Sequence, residues 1–72
     1  QQPRPAWPAT AVEQLAAVSA LVAARPMTAE QVAASFAGAR REHVERHLET
    51  LALMGEIVVD EARRYQAGRK VA

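Results

Sequence analysis

Val44-Glu45-Arg46-His47-Leu48-Glu49-Thr50-Leu51-Ala52-Leu53-Met54-Gly55-Glu56-Ile57 places three aliphatic residues at helical spacing, then a glycine, then a β-branched run. Val44, Leu48 and Leu51 lie four and three apart, so they share one side of a helix. Leu53 falls opposite that stripe and is expected at the surface. Gly55 stands where helices commonly end in a left-handed residue. Working back, the helix is expected from about Ala39 to Met54. Working forward, Glu56-Ile57-Val58-Val59-Asp60 is short and β-branched, and Arg63-Arg64-Tyr65-Gln66 can return beside it. The linking Glu61-Ala62 lacks the usual Asn-Gly or Asp-Gly signal, so the turn type stays open. A two-stranded hairpin alone is marginal in water. Ile57, Val59 and Tyr65 must therefore lie against the helices and be covered by them.

Two more helices precede this stretch. Thr28-Ala29-Glu30-Gln31 reads as a capping box, in which the Thr hydroxyl and the residue three on satisfy each other's amides. A short helix then starts at Ala29 and ends near Ser35 or Phe36, burying Val32 and Phe36. Gly38 supplies the turn into the long helix. Thr10-Ala11-Val12-Glu13 is a second capping box, opening a first helix that runs to about Ala24. Its stripe is Leu15, Val18 and Val22, with Leu21 beside it. Arg25 suits the negative end of the helix dipole, and Pro26 stops the helix. Residues 1–9 carry three prolines and read as an extended linker. Trp7 within it either packs on this domain or anchors a neighbouring one. The division expected is a linker at 1–9, a domain at 10–67 and a fraying tail at 68–72.

The chain has 72 residues, half of them apolar, with Trp7, Phe36 and Tyr65 as its aromatics and no cysteine. That length holds one domain. With aromatics this scarce, the core must be built from Leu, Val, Ile and Met. The absence of cysteine excludes disulfides and thiolate metal sites and fits a reducing, cytoplasmic setting. No apolar run approaches the roughly 20 residues of a membrane span, and no signal peptide is recognised. A chain opening at Gln1 reads as a piece of a larger protein. The formal net charge is +1, so composition alone does not point to nucleic acid.

The order of elements, the segment Val44 to Ile57 and the returning Tyr65 resemble the winged helix-turn-helix family over residues 10–67. The fold class expected is mainly α with a small β-hairpin: three helices plus a two-stranded wing. The second and third helices, joined through Ala37-Gly38, form the helix-turn-helix. Within that family, Pro5-Ala6-Trp7-Pro8-Ala9-Thr10, Glu13-Gln14 and Ala17-Val18 resemble the opening of winged-helix segments appended to bacterial adenine DNA methyltransferases of restriction-modification type. Phe36-Ala37-Gly38-Ala39-Arg40-Arg41, Val44, Leu48-Glu49-Thr50-Leu51, Gly55 and Arg64-Tyr65 resemble the remainder. Many such segments have a lysine where this chain has Ala37, so one positive charge is missing near the turn. The resemblance implies a non-catalytic accessory domain whose methyltransferase site lies elsewhere in the parent, with the parent's other domains as partners.

No catalytic constellation is visible and no cofactor is expected. His43 and His47 are four apart, a spacing at which two imidazoles can share a metal. The intervening Val44-Glu45-Arg46 lacks the glutamate directly after the first histidine that a zinc-protease helix needs, and no third ligand is suggested. Both read as solvated or cap-facing. Gly38, Gly55 and Gly68 form no phosphate loop, and Ser19 and Ser35 have no base in view. Binding remains. Helix-turn-helix proteins put the N-terminal residues of the recognition helix against base edges in the major groove. Here those residues are Arg40, Arg41 and His43, with Arg46 one turn on. Arg63 and Arg64 would serve from the wing, and Arg69 and Lys70 from the tail. Arginine binds guanine bidentately or contacts phosphate. Glu42, Glu45 and Glu49 weigh against this on the same helix. Arg41–Glu45 and Glu42–Arg46 are set as intrahelical ion pairs, whereas Glu45–Glu49 repel. The alternatives are a solvated face, a protein or interdomain contact through Leu53 and an undocked Trp7, and a structural cap on the parent.

Overall fold

The computed structural model describes residues 4–68. The proposed tail contacts Arg69 and Lys70 lie outside the described residues. The elements run α1 (Ala11–Ala24), β1 (Met27–Thr28), α2 (Ala29–Ala34), α3 (Arg41–Leu53), β2 (Ile57–Val59) and β3 (Arg64–Ala67).

Local chemistry explains each boundary. Thr10 is extended, and its hydroxyl oxygen accepts from the Glu13 amide at 3.2 Å. The expected return bond from Glu13 to the Thr10 amide is replaced. The Thr10 hydroxyl instead donates to the Glu13 carboxylate at 3.1 Å, because a hydroxyl accepts and donates at once. Arg25 ends α1 with φ −166°. Proline at the next position disfavours helical backbone there. The second capping box is complete: the Gln31 amide donates to the Thr28 hydroxyl at 3.1 Å and the Thr28 amide donates to Gln31 Oε1 at 2.9 Å. α3 starts later than expected. Gly38 takes φ +88°, and Arg40, with φ −96° and ψ 134°, is the extended residue before the helix rather than part of it. The end of α3 follows the glycine reading. Gly55 is left-handed at φ +79°; its amide donates to Ala52 C=O at 3.1 Å and the Glu56 amide to Leu51 C=O at 3.0 Å. That pair of bonds is the Schellman closure.

The hairpin turn resolves into a three-residue loop. The Asp60 amide donates to Arg64 C=O, the Arg63 amide donates back to Asp60 C=O, and Arg63 is left-handed at φ +63°. A turn closed by a left-handed residue is the usual three-residue connection. Register follows, with Val59 opposite Tyr65, Val58 opposite Gln66 and Ile57 opposite Ala67.

The expected two-stranded hairpin is in fact part of a three-stranded antiparallel sheet ordered β1-β3-β2. Met27 pairs with Tyr65 and Thr28 with Arg64. A helix cap is non-helical by nature, so the extended Thr28 caps α2 and extends the sheet together.

Val18, Val22, Met27, Val32, Phe36, Val44, Leu48, Leu51 and Ile57 form one buried cluster between the helices and the sheet. Leu15 and Leu21 are only partly buried at its edge. Val59, expected as part of the lid, is 51% exposed and only borders the helices, across a groove from Ala52 and Leu53 of α3.

Residues 4–8, expected as a linker, are docked. The Trp7 amide donates to Ala37 C=O at 3.0 Å and the Ala37 amide to Pro5 C=O at 2.8 Å, a parallel bridge centred on Ala6 and Ala37. Arg4 Nη1 donates to Ala34 C=O at 3.2 Å. The Trp7 ring meets Phe36 edge-on, centroids 5.2 Å apart. Pro5 lacks an amide but keeps its carbonyl, and Trp7 keeps its amide, so the extended Pro-rich segment still pairs with Ala37 and serves as a strap over the α2–α3 connection. Gly68 is likewise anchored, its amide donating to Glu56 C=O at 2.8 Å.

Candidate nucleic-acid interface

The sequence singled out Arg40, Arg41, His43, Arg46, Arg63 and Arg64. Helical geometry separates the first four. Val44, Leu48 and Leu51 fix the buried side of α3. Glu42, Arg46, Glu49 and Leu53 then fall on the opposite, outward side, four and three residues apart. Arg41 and Glu45 flank the side toward α2, and His43 and His47 flank the side toward α1.

Two of the arginines are held by carboxylates. Arg41 Nη1 lies 3.2 Å from Glu30 of α2, and Arg41 Nε lies 3.0 Å from Glu45 of its own helix. The second pair was readable from spacing. The first was not, because sequence periodicity says nothing of which residue a neighbouring helix presents. Arg64 Nε lies 3.1 Å from Asp60 Oδ2, while Asp60 Oδ1 accepts from the amides of Ala62 and Arg64, each at 2.9 Å. The Arg64 amide bond is the foremost cause holding the Asp60 carboxyl below its usual range. Asp60 and Arg64 thus brace the hairpin turn.

Arg40, Arg46 and Arg63 are exposed and make no side-chain hydrogen bond or ion pair among the described residues. The Glu42–Arg46 pair allowed by spacing is not formed. Arg40 stands at the start of α3, Arg46 on its outward side, and Arg63 at the hairpin turn. Arg63 shares a cleft with Glu30, Arg41, Glu45, Glu49 and Tyr65. His43 is exposed.

His47 is not a solvated group. Its Nε2 lies 2.7 Å from Gln14 Oε1, and Gln14 Nε2 donates to Pro8 C=O at 2.7 Å. A carbonyl can only accept, so the Gln14 amide faces Pro8 with its nitrogen and His47 with its oxygen. That assigns the His47 proton to Nε2. The Trp7 ring lies over the imidazole at 6.0 Å. Burial, and then the charges of His43 and Arg46, lower the His47 pKa from its ordinary value. His47 belongs to the seat of the strap, a role that spacing along α3 could not reveal.

Beside the cleft, Glu49, Ala52, Leu53, Val59 and Tyr65 line a second groove between the C-terminal half of α3 and the hairpin. Leu53 is 90% exposed there. Among the described residues no group of three or more His, Cys, Asp or Glu is placed to hold a metal, and no helix is long and apolar enough to cross a membrane. Comparison with family models, with curated proteins and with solved structures finds no match to this chain.

Proposed function

We propose that the chain is a winged helix-turn-helix module that binds duplex DNA without catalysis, as an accessory domain of a larger protein. The parent suggested by the sequence resemblance is a bacterial adenine DNA methyltransferase of restriction-modification type. In this reading the N-terminal half of α3 enters the major groove and the β2–β3 hairpin is the wing, set against the phosphate backbone.

The observation that carries the reading is the set of exposed arginines without carboxylate partners. Arg40 is the extended residue leading into α3, Arg46 lies on α3 and Arg63 is at the hairpin turn. Each is free to meet phosphate or a guanine edge. Arg41 and Arg64 shape the surface through their carboxylates instead. Glu42 and Glu49 on the same outward side hold non-specific affinity low, so the parent supplies most of the binding.

Fluorescence anisotropy with a labelled duplex tests this. Phosphate contacts release counterions, giving a log–log salt slope of about −0.9 for each phosphate neutralised. If Arg40, Arg46 and Arg63 each meet a phosphate, the slope is about −2.7. Arg40→Ala with Arg46→Ala is expected to weaken binding and flatten the slope by up to about two units. Binding at low salt that is unchanged in affinity and slope by that double substitution would remove the DNA reading.

A further inference from the structure

We propose that the groove between the C-terminal half of α3 and the hairpin is a second docking site, for a protein segment that carries a basic side chain next to an aliphatic one. The inference goes beyond DNA binding and rests on Leu53, Val59 and Tyr65, which the DNA reading leaves idle, together with Glu49. Leu53, Val59, Ala52 and Tyr65 form the apolar part of the groove, and Leu53 is 90% and Val59 51% exposed. Two such neighbours on a single lined concavity differ from singly scattered surface aliphatics, which need no partner.

Charge selects the occupant. The groove is bordered by Glu49, which also borders the adjoining cleft. That cleft holds three carboxylates and two cations; Glu30 and Glu45 share Arg41, while Arg63 borders the cleft without pairing. Glu49 makes no side-chain hydrogen bond or ion pair among the described residues. A cation beside an apolar side chain completes both halves of the site. A nucleic acid fits less well, because its phosphates would meet the Glu49 charge. A second copy of this chain, docked groove to groove, would bring two Glu49 carboxylates together. An anionic lipid surface meets the same repulsion. Leu53 lies roughly 20 Å along α3 from Arg40 at about 1.5 Å per residue, whereas Arg63 borders the cleft next to the groove, so a duplex reaching Arg63 and a segment in the groove would lie side by side.

The test uses the labelled 72-residue chain and three pools of blocked hexapeptides. In each, a leucine is preceded within two positions by lysine, by norleucine or by glutamate. Methyl NMR follows Leu53 and Val59. The lysine pool is expected to shift both saturably and to bind at least about tenfold more tightly than the glutamate pool, a discrimination typical of one charge contact. Glu49→Gln is expected to abolish that preference while leaving the norleucine pool unchanged. Leu53→Ala, at an exposed position that leaves the core intact, is expected to weaken the lysine pool by about tenfold. Equal binding of lysine and glutamate pools, or no saturable shift at these methyls, overturns the proposal. So does a duplex that shifts the same methyls at low salt, which assigns the groove to nucleic acid. Concentration-dependent self-association lost in Leu53→Ala overturns it in favour of a second copy.

Discussion

His47 sits half-buried under Trp7, its Nε2 proton bound to Gln14. Burial there favours the neutral ring, so its folded pKa lies below the ordinary one. The unfolded chain therefore takes up the proton first as pH falls. The stabilising contribution is complete above about pH 6.5 and is lost as pH drops through that value toward the lower folded pKa. Thermal melts of a His43→Gln background, where His47 is the remaining histidine, should show the midpoint falling over this window. His47→Gln should remove that part of the fall; an unaltered profile would mean that the ring is not linked to folding. The residue also marks where sequence reasoning stops. Val44, Leu48 and Leu51 were legible because all three obey one local period. Gln14 and His47 meet across 33 residues of chain, and no local pattern encodes such a contact.

At the scale of elements, β1 was missed because two residues are too few to show alternation, and because Thr28 was already accounted for as a cap. The hairpin was legible in extent but not in turn chemistry, which rests on Asp60 accepting two amides and on a left-handed Arg63. The sheet's closure depends on Gly68. A Cβ there would come within 2.6 Å of Gly55 C=O and 3.1 Å of Glu56 C=O. Both neighbours are backbone of the Schellman closure that follows α3, so they cannot yield like a flexible side chain. Gly68→Ala is expected to cost on the order of 1–3 kcal/mol in urea melts; a neutral result would show that the chain leaves the sheet before residue 68. The N-terminal strap is an element in the same sense. Deleting residues 1–9 removes two backbone hydrogen bonds to Ala37 and the Trp7–Phe36 contact. The expected loss is on the order of 2 kcal/mol, below the roughly 3–5 kcal/mol for truncating a fully buried aromatic. Melts that agree within ~0.5 kcal/mol would restore the reading of this segment as a linker.

For the molecule as a whole, the core and the order of helices were legible, whereas the charge pattern of the surface was not. Its character is set by which arginines find carboxylates, and Arg41–Glu30 joins two helices that sequence alone does not orient. The strap has a further consequence at this scale. The Ala6–Ala37 bridge spans a long separation in the chain, and its landing place exists only once α2 and α3 have met. Closure is therefore expected to come late, and reopening uncovers Phe36 while Val44 and Leu48 stay packed. The amides of Trp7 and Ala37, which carry the bridge, should exchange with deuterium through an opening cheaper than global unfolding, whereas Leu48 in α3 should exchange only when everything unfolds. Equal protection at all three amides would mean one cooperative unit. In the staged case Trp7 emission changes ahead of the helical circular dichroism as denaturant rises. The single tryptophan then records the order in which this molecule comes apart, with no label added.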